Sequence, residues 1–131
     1  MRALAIHGDR WHGVLNDCWR VDSPSWDDVD AAIGRLDGKS YTIVTLQGPG
    51  EQHLTVGGGD GQYVVYGTFD NNEFWNLLNP KDEGGTALLN AGGQEGDYPA
   101  RQIVDRENAR AAARTFLEKL QLEPSLRWEN Q

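Results

Sequence analysis

Four residues near the start of the chain could do chemistry. His7, His12, Asp17 and Cys18 lie close together, and with His53 they include every histidine and the one cysteine of the 131 residues. Imidazole, carboxylate and thiolate are zinc ligands, but this spacing matches no familiar zinc pattern, and no cofactor is expected. A Cys18–His nucleophile pair can be drawn in any chain holding both residues, so it carries little information. Neither G-x-S-x-G nor H-E-x-x-H occurs. The carboxylate pairs Asp27/Asp28 and Asp82/Glu83 read as a helix start and a solvated loop. A small enzyme or ligand-binding domain using His7, His12, His53 or Cys18 requires two or more of them to converge in a concave pocket.

The second candidate is glycine-rich, QHLTVGGGDGQYVVYG over residues 52–67. A phosphate loop needs Gly-Lys-Ser/Thr entering a helix. Here no Lys, Ser or Thr follows the glycines, the next residues (YVVY) are strand-forming, and Asp60 would repel a phosphate. Asp60-Gly61 instead suits the positive φ values of a tight hairpin turn. Gly57, Gly58 and Gly59 beside it permit a bulge or a close backbone approach. The stretch is therefore expected to be a structural hairpin, and the strongest enzyme motif falls away.

Charge is the more telling feature. The chain carries −8, and between Glu51 and Asp97 eight acids stand against one base, Lys81, so that stretch alone carries −7. Direct nucleic-acid binding is not expected, because phosphate contacts need clustered Lys and Arg. An acidic middle attracts a basic partner, or simply keeps the chain soluble. Within it, Trp75 sits in NNEFWN, where nothing in the pattern demands burial. An aromatic among acids is a binding anchor when exposed. Glu73, Trp75, Asp82, Glu83 and Asp97 are the expected contacts, with Asp70 and Glu95 as electrostatic support. Trp26 and Trp128 read as core.

The elements that position these residues are short. The length suggests one domain over 1–131, large enough to bury a core without disulfides or metal. A single cysteine fits a reducing cytosol, and no apolar run approaches the roughly 20 residues of a membrane span. Ser25 and Asp28 form a capping-box pattern ahead of Trp26, Val29, Ile33 and Leu36, which predicts a helix over about 25–37. Asp105 caps a second helix, about 106–121, with an apolar stripe of Ala109, Ala112, Ala113, Phe116, Leu117 and Leu120. Arg106, Arg110 and Arg114 form a solvated row on another face. Strands are expected at 2–6, 41–46, 53–56, 63–66, 101–104 and 126–128, with 11–21 irregular. The stretch 68–78 is extended or a loop with a helical turn, and 81–97 is mainly loop with a strand at 86–89. Helix, several strands, helix, strand predicts an α+β fold with a mostly antiparallel sheet.

Taken in order, LTVGGGDGQYVVYG, ARAAARTFLEKLQLEP and a terminal LRWEN resemble the Imm1 immunity proteins of bacterial polymorphic toxin systems. The resemblance spans roughly Trp26 to Glu129 and is clearest at Gly58-Gly59 with Tyr63 and at Arg127-Trp128-Glu129. Gln121-Leu122-Glu123-Pro124 stands where such sequences often carry a glycine after the second helix. The resemblance implies a non-enzymatic cytoplasmic protein that neutralises a toxin encoded beside it, often a nucleic-acid deaminase. A toxin that handles nucleic acid needs a basic groove, which an acidic protein can occupy. Self-association through exposed Trp residues is a third reading, against which a monomer would count.

Overall fold

The computed structural model describes residues 2–81 and 84–131. Along the chain run β1 (Ala5–Gly8), β2 (Trp11–His12), β3 (Leu15–Asn16), β4 (Trp19–Asp22), α1 (Trp26–Arg35), β5 (Ile43–Gln47), β6 (His53–Gly59) and β7 (Gln62–Thr68). Then follow β8 (Phe74–Leu77), β9 (Thr86–Ala91), β10 (Gln94–Pro99), a 3₁₀ turn at Ala100–Gln102, α2 (Arg106–Lys119) and β11 (Trp128–Asn130). Seven strands form one sheet in the order β11-β8-β7-β6-β5-β1-β4, with every neighbouring pair antiparallel. The fold is α+β.

Strand alternation puts Ile6, Val44, Leu46, Leu54, Val56, Tyr63 and Val65 on one sheet face. Both helices cover that face. α1 contributes Val29, Ala32 and Ile33, and α2 contributes Ala109, Ala112, Ala113, Phe116 and Leu117, all buried. Together these side chains form the main core. The capping box at Ser25 forms reciprocally with Asp28, and the Asp105 side chain accepts from the Asn108 amide. Leu120 closes α2 in the left-handed conformation, φ 55°. Trp26 and Trp128 are half-buried and pack against this core.

A second, smaller core lies on the opposite face. The β9–β10 hairpin lays Ala87, Leu89, Ala91 and Tyr98 over Val64 and Ile103. The stretch 81–97, expected to be mainly loop with a strand at 86–89, thus holds that strand and a second paired with it. Their turn is Gly92-Gly93, both at positive φ (76° and 83°), as a two-residue hairpin loop requires. Residues 101–104 form no strand. The chain turns there as 3₁₀ helix because the Ala100 amide donates to the Gly85 carbonyl, leaving one isolated bridge between Tyr63 and Val104. The opening strand starts at Ala5, and residues 74–77 are extended rather than helical.

Candidate functional site

The glycine stretch is the hinge of the site region. Asp60 (φ 55°) and Gly61 (φ 88°) make the two-residue turn between β6 and β7, with Gly59 and Gln62 paired across it. A Cβ on Gly59 would lie 2.6 Å from the Asp37 and Gly38 amide nitrogens, and one on Gly57 would lie 2.7 Å from the Ala91 Cβ. The glycines therefore let the loop after α1 and the β9–β10 hairpin approach the ribbon closely. The Gly58 amide donates to the Thr42 carbonyl (2.9 Å), so it is already committed within the protein.

The β6–β7 ribbon also divides the acidic segment. His53 pairs with Thr68 at one end and Gly59 with Gln62 at the other. Six residue steps at about 3.3 Å put those ends roughly 20 Å apart. Asp70 and Glu73 belong to the loop beyond Thr68, and Glu95 and Asp97 belong to the hairpin seated near the Asp60 turn. Asp70 closes its own loop. Its Oδ1 accepts from the Asn72 and Glu73 amides (2.9 Å each), and these bonds hold its carboxyl below the usual range. Trp75 is half-buried, and its pairing with Gly67 puts it on the helix-covered face at the rim of the sheet. Glu95 and Asp97 are exposed. Asp82 and Glu83 lie outside the described residues. Among the described residues, the expected contacts thus fall into two groups, one at each end of the ribbon.

Four projections meet at the Asp60 end. β1 ends there and β4 begins there, since Gly8 pairs with both Val44 and Trp19. The residues between them form an arm, β2–β3, whose tip exposes Val14 (91 %) and Leu15 (70 %). Beside it stand the β9–β10 hairpin, the β6–β7 turn and the loop after α1. On the hairpin, exposed Leu88 (63 %) pairs across with Asp97, and Asn90 pairs with Glu95. A groove of about 340 Å³ runs between hairpin and turn, lined by Gly38, Gly59, Gln62, Leu88, Asn90 and Glu95 among others. Asn90 Nδ2 donates to the Gly38 carbonyl (3.1 Å), while its buried Oδ1 has no partner. The sequence singled out none of Val14, Leu15, Leu88 or Asn90. The strand expected at 86–89 contains Leu88, and Gly92-Gly93 is the signal that could have found the rest of the hairpin.

Asp9 holds the arm and the hairpin to the sheet. Its buried carboxylate accepts from the Thr42 amide (2.7 Å), the Ile43 amide (3.1 Å), Trp11 Nε1 (2.7 Å) and the Thr42 hydroxyl. Thr42 Oγ1 in turn accepts from the Gly93 amide at the hairpin turn (2.9 Å). The Trp11 indole sits directly against Gly93. Every acceptor site on the carboxylate is thus used, which is the condition for burying such a group.

The histidines do not gather. His7 and His53 lie on the sheet face away from the helices, with His53 edge-on to Phe74 and Phe74 edge-on to Tyr66. Partial burial, then the Arg20 and His53 charges, lower the His7 pKa below 6.5. His12 is on the arm, 3.8 Å from Asp17, and Cys18 is exposed. The groove above contains no histidine or cysteine, nor does a cleft of about 590 Å³ between the Gly61 turn and the start of α2. Among the described residues, no three His, Cys, Asp or Glu side chains are grouped as metal ligands. No helix among them is long and apolar enough to cross a membrane. The arginine row is engaged with α1: Arg110 pairs with Asp30 (2.7 Å) and, with Arg114, stacks on Trp26.

A family model described as immunity protein Imm1 matches residues 20–130. No curated protein matches the chain.

Proposed function

The chain belongs to the Imm1 family of immunity proteins, and on that premise we propose that it binds and neutralises a toxin domain that acts on nucleic acid, of the deaminase class. A cognate toxin is the partner that an immunity protein implies. The observation that carries this reading is the family match over residues 20–130, joined to a net charge of −8 of which −7 lies between Glu51 and Asp97. An enzyme acting on DNA or RNA presents a cationic groove, and an acidic protein is captured there quickly and in a preferred orientation. Asp70, Glu73, Trp75, Asp82, Glu83, Glu95 and Asp97 remain the acidic and aromatic candidates for that contact. The protein acts in the cytoplasm as one domain, by occupying or overhanging the toxin's active groove, and performs no reaction itself.

The test is co-expression with the toxin domain encoded by the neighbouring reading frame. Cells carrying both are expected to survive. Survival no better than with an empty vector rejects the assignment for that toxin.

A further inference from the structure

Resting on the immunity reading, we infer that the toxin docks on the Asp60 end of the molecule, with Val14, Leu15 and Leu88 entering apolar recesses in a basic surface. These three are the most exposed large apolar side chains among the described residues, at 91 %, 70 % and 63 %. All three project at the same end of the sheet, on the arm and the hairpin. Exposed apolar groups rimmed by polar ones mark contact sites on soluble proteins. Here the rim is negative on balance: Asp17, Asp37, Asp60, Glu95 and Asp97 stand against Arg10, Arg35 and Lys39, with Arg10 paired to Asp17. Asp97 is the cross-strand neighbour of Leu88, so carboxylate and apolar tip are presented together. A cationic partner with hydrophobic recesses is complementary to that pairing, and a nucleic acid is not.

Three further observations favour this end over the other. First, the tips are held before any partner arrives. The arm is closed by the Arg10–Asp17 ion pair (2.9 Å) and by the Trp11 amide donating to the Ser40 carbonyl (2.8 Å). Asp9 and Thr42 then fix arm and hairpin to β5, so little ordering cost is left for binding. Second, the groove wall carries the exposed Glu95 beside Asn90, and a lysine or arginine end entering there would pair with its carboxylate. Third, the opposite end offers less: its exposed large apolar residues are Leu4 (54 %) and Phe69 (39 %), the latter lying against Phe116, and Asp70 is bonded to its own loop. The arm also precedes the stretch 20–130 that matches the family model. It is therefore suited to choosing among toxins rather than to a contact shared across the family.

The experiment measures binding of the purified toxin domain from the neighbouring frame to three full-length proteins. They are the unsubstituted chain, the triple variant Val14→Ser/Leu15→Ser/Leu88→Ser, and the far-end control Leu4→Ser/Glu51→Gln. All substituted side chains are exposed, so circular dichroism spectra are expected to coincide. The triple variant is expected to bind at least about 30-fold more weakly, the size of a hot-spot loss, and the control within about threefold of the unsubstituted chain. A Glu95→Lys/Asp97→Lys pair is expected to slow association about tenfold at low salt. Tight binding that survives the triple substitution overturns the docking inference alone. A loss confined to the control does the same. No binding by the unsubstituted chain overturns the immunity reading for that toxin and this inference with it.

Discussion

Replacing Asp9 with alanine tests whether one buried carboxylate organises the Asp60 end. Asp9 is 4 % exposed and accepts four hydrogen bonds, two of them from fully buried Thr42. Asp9→Ala leaves the Thr42 amide and hydroxyl without an acceptor, and also the Ile43 amide and Trp11 Nε1. An orphaned buried donor costs about 1–3 kcal/mol. Taking the lower half of that range for the two Thr42 groups, and less for the half-buried Ile43 and Trp11, gives about 3–4 kcal/mol. Against a total stability of about 5–15 kcal/mol, this is a large fraction. The fall in Tm is expected to be roughly 10–15 °C. Asp9→Asn is graded differently: one oxygen can still serve the two amides, but its NH2 faces the Trp11 and Thr42 donors, so about half the loss is expected. Urea unfolding gives the free energies, and hydrogen exchange at the Trp11 and Gly93 amides tests whether arm and hairpin loosen together. An Asp9→Ala midpoint corresponding to less than about 1 kcal/mol would refute the assignment of Asp9 as the tie between them.

Two further substitutions probe the scaffold. Glu123 accepts from Thr115 Oγ1 and the Ser125 amide, 2.7 Å each. Its bonds to Ser125 and then Thr115 lower its pKa from 4.5 to about 2. The folded value lies below the ordinary one, so its contribution is whole above pH 4.5 and is lost as pH falls towards 2. Glu123→Gln is expected to destabilise by about 1 kcal/mol at pH 7, after allowing for solvent screening. Urea midpoints at falling pH are expected to converge with those of the unsubstituted chain over that window. Gly59→Ala would press a methyl to 2.6 Å from two backbone nitrogens at φ 149°. A loss of about 2–3 kcal/mol is expected, and unchanged thermal unfolding would show that the close approach at Asp37 is dispensable.

The helices and the central hairpin were legible because local and tertiary signals agree there. Ser25 and Asp28 cap in the structure as their spacing predicts, and Asp60-Gly61 turns the chain as its composition predicts. Of the β9–β10 hairpin only the first strand, at 86–89, was expected; its partner was hidden because it is set among Gly, Glu and Asp that also suit a loop. Residues 101–104 have strand-like composition, yet the Gly85 carbonyl captures the Ala100 amide and the turn prevails. The acidity of 51–97 was plain from counting, but its partition was not. A ribbon of two seven-residue strands separates acids that belong to one acidic stretch of the sequence. Val14 and Leu15 gave no signal either, since two apolar residues beside a glycine are unremarkable until a turn lifts them into solvent.

The seating of Trp11 gives the molecule an intrinsic optical reporter. Its indole touches the hairpin turn and donates to Asp9, and both elements it joins reach into the solvent where Val14 and Leu88 stand. A ligand that shifts either element changes the polarity and hydrogen bonding around one fluorophore. With Trp19, Trp26, Trp75 and Trp128 replaced by phenylalanine, the emission maximum of Trp11 would follow events at that end in real time, without an attached dye.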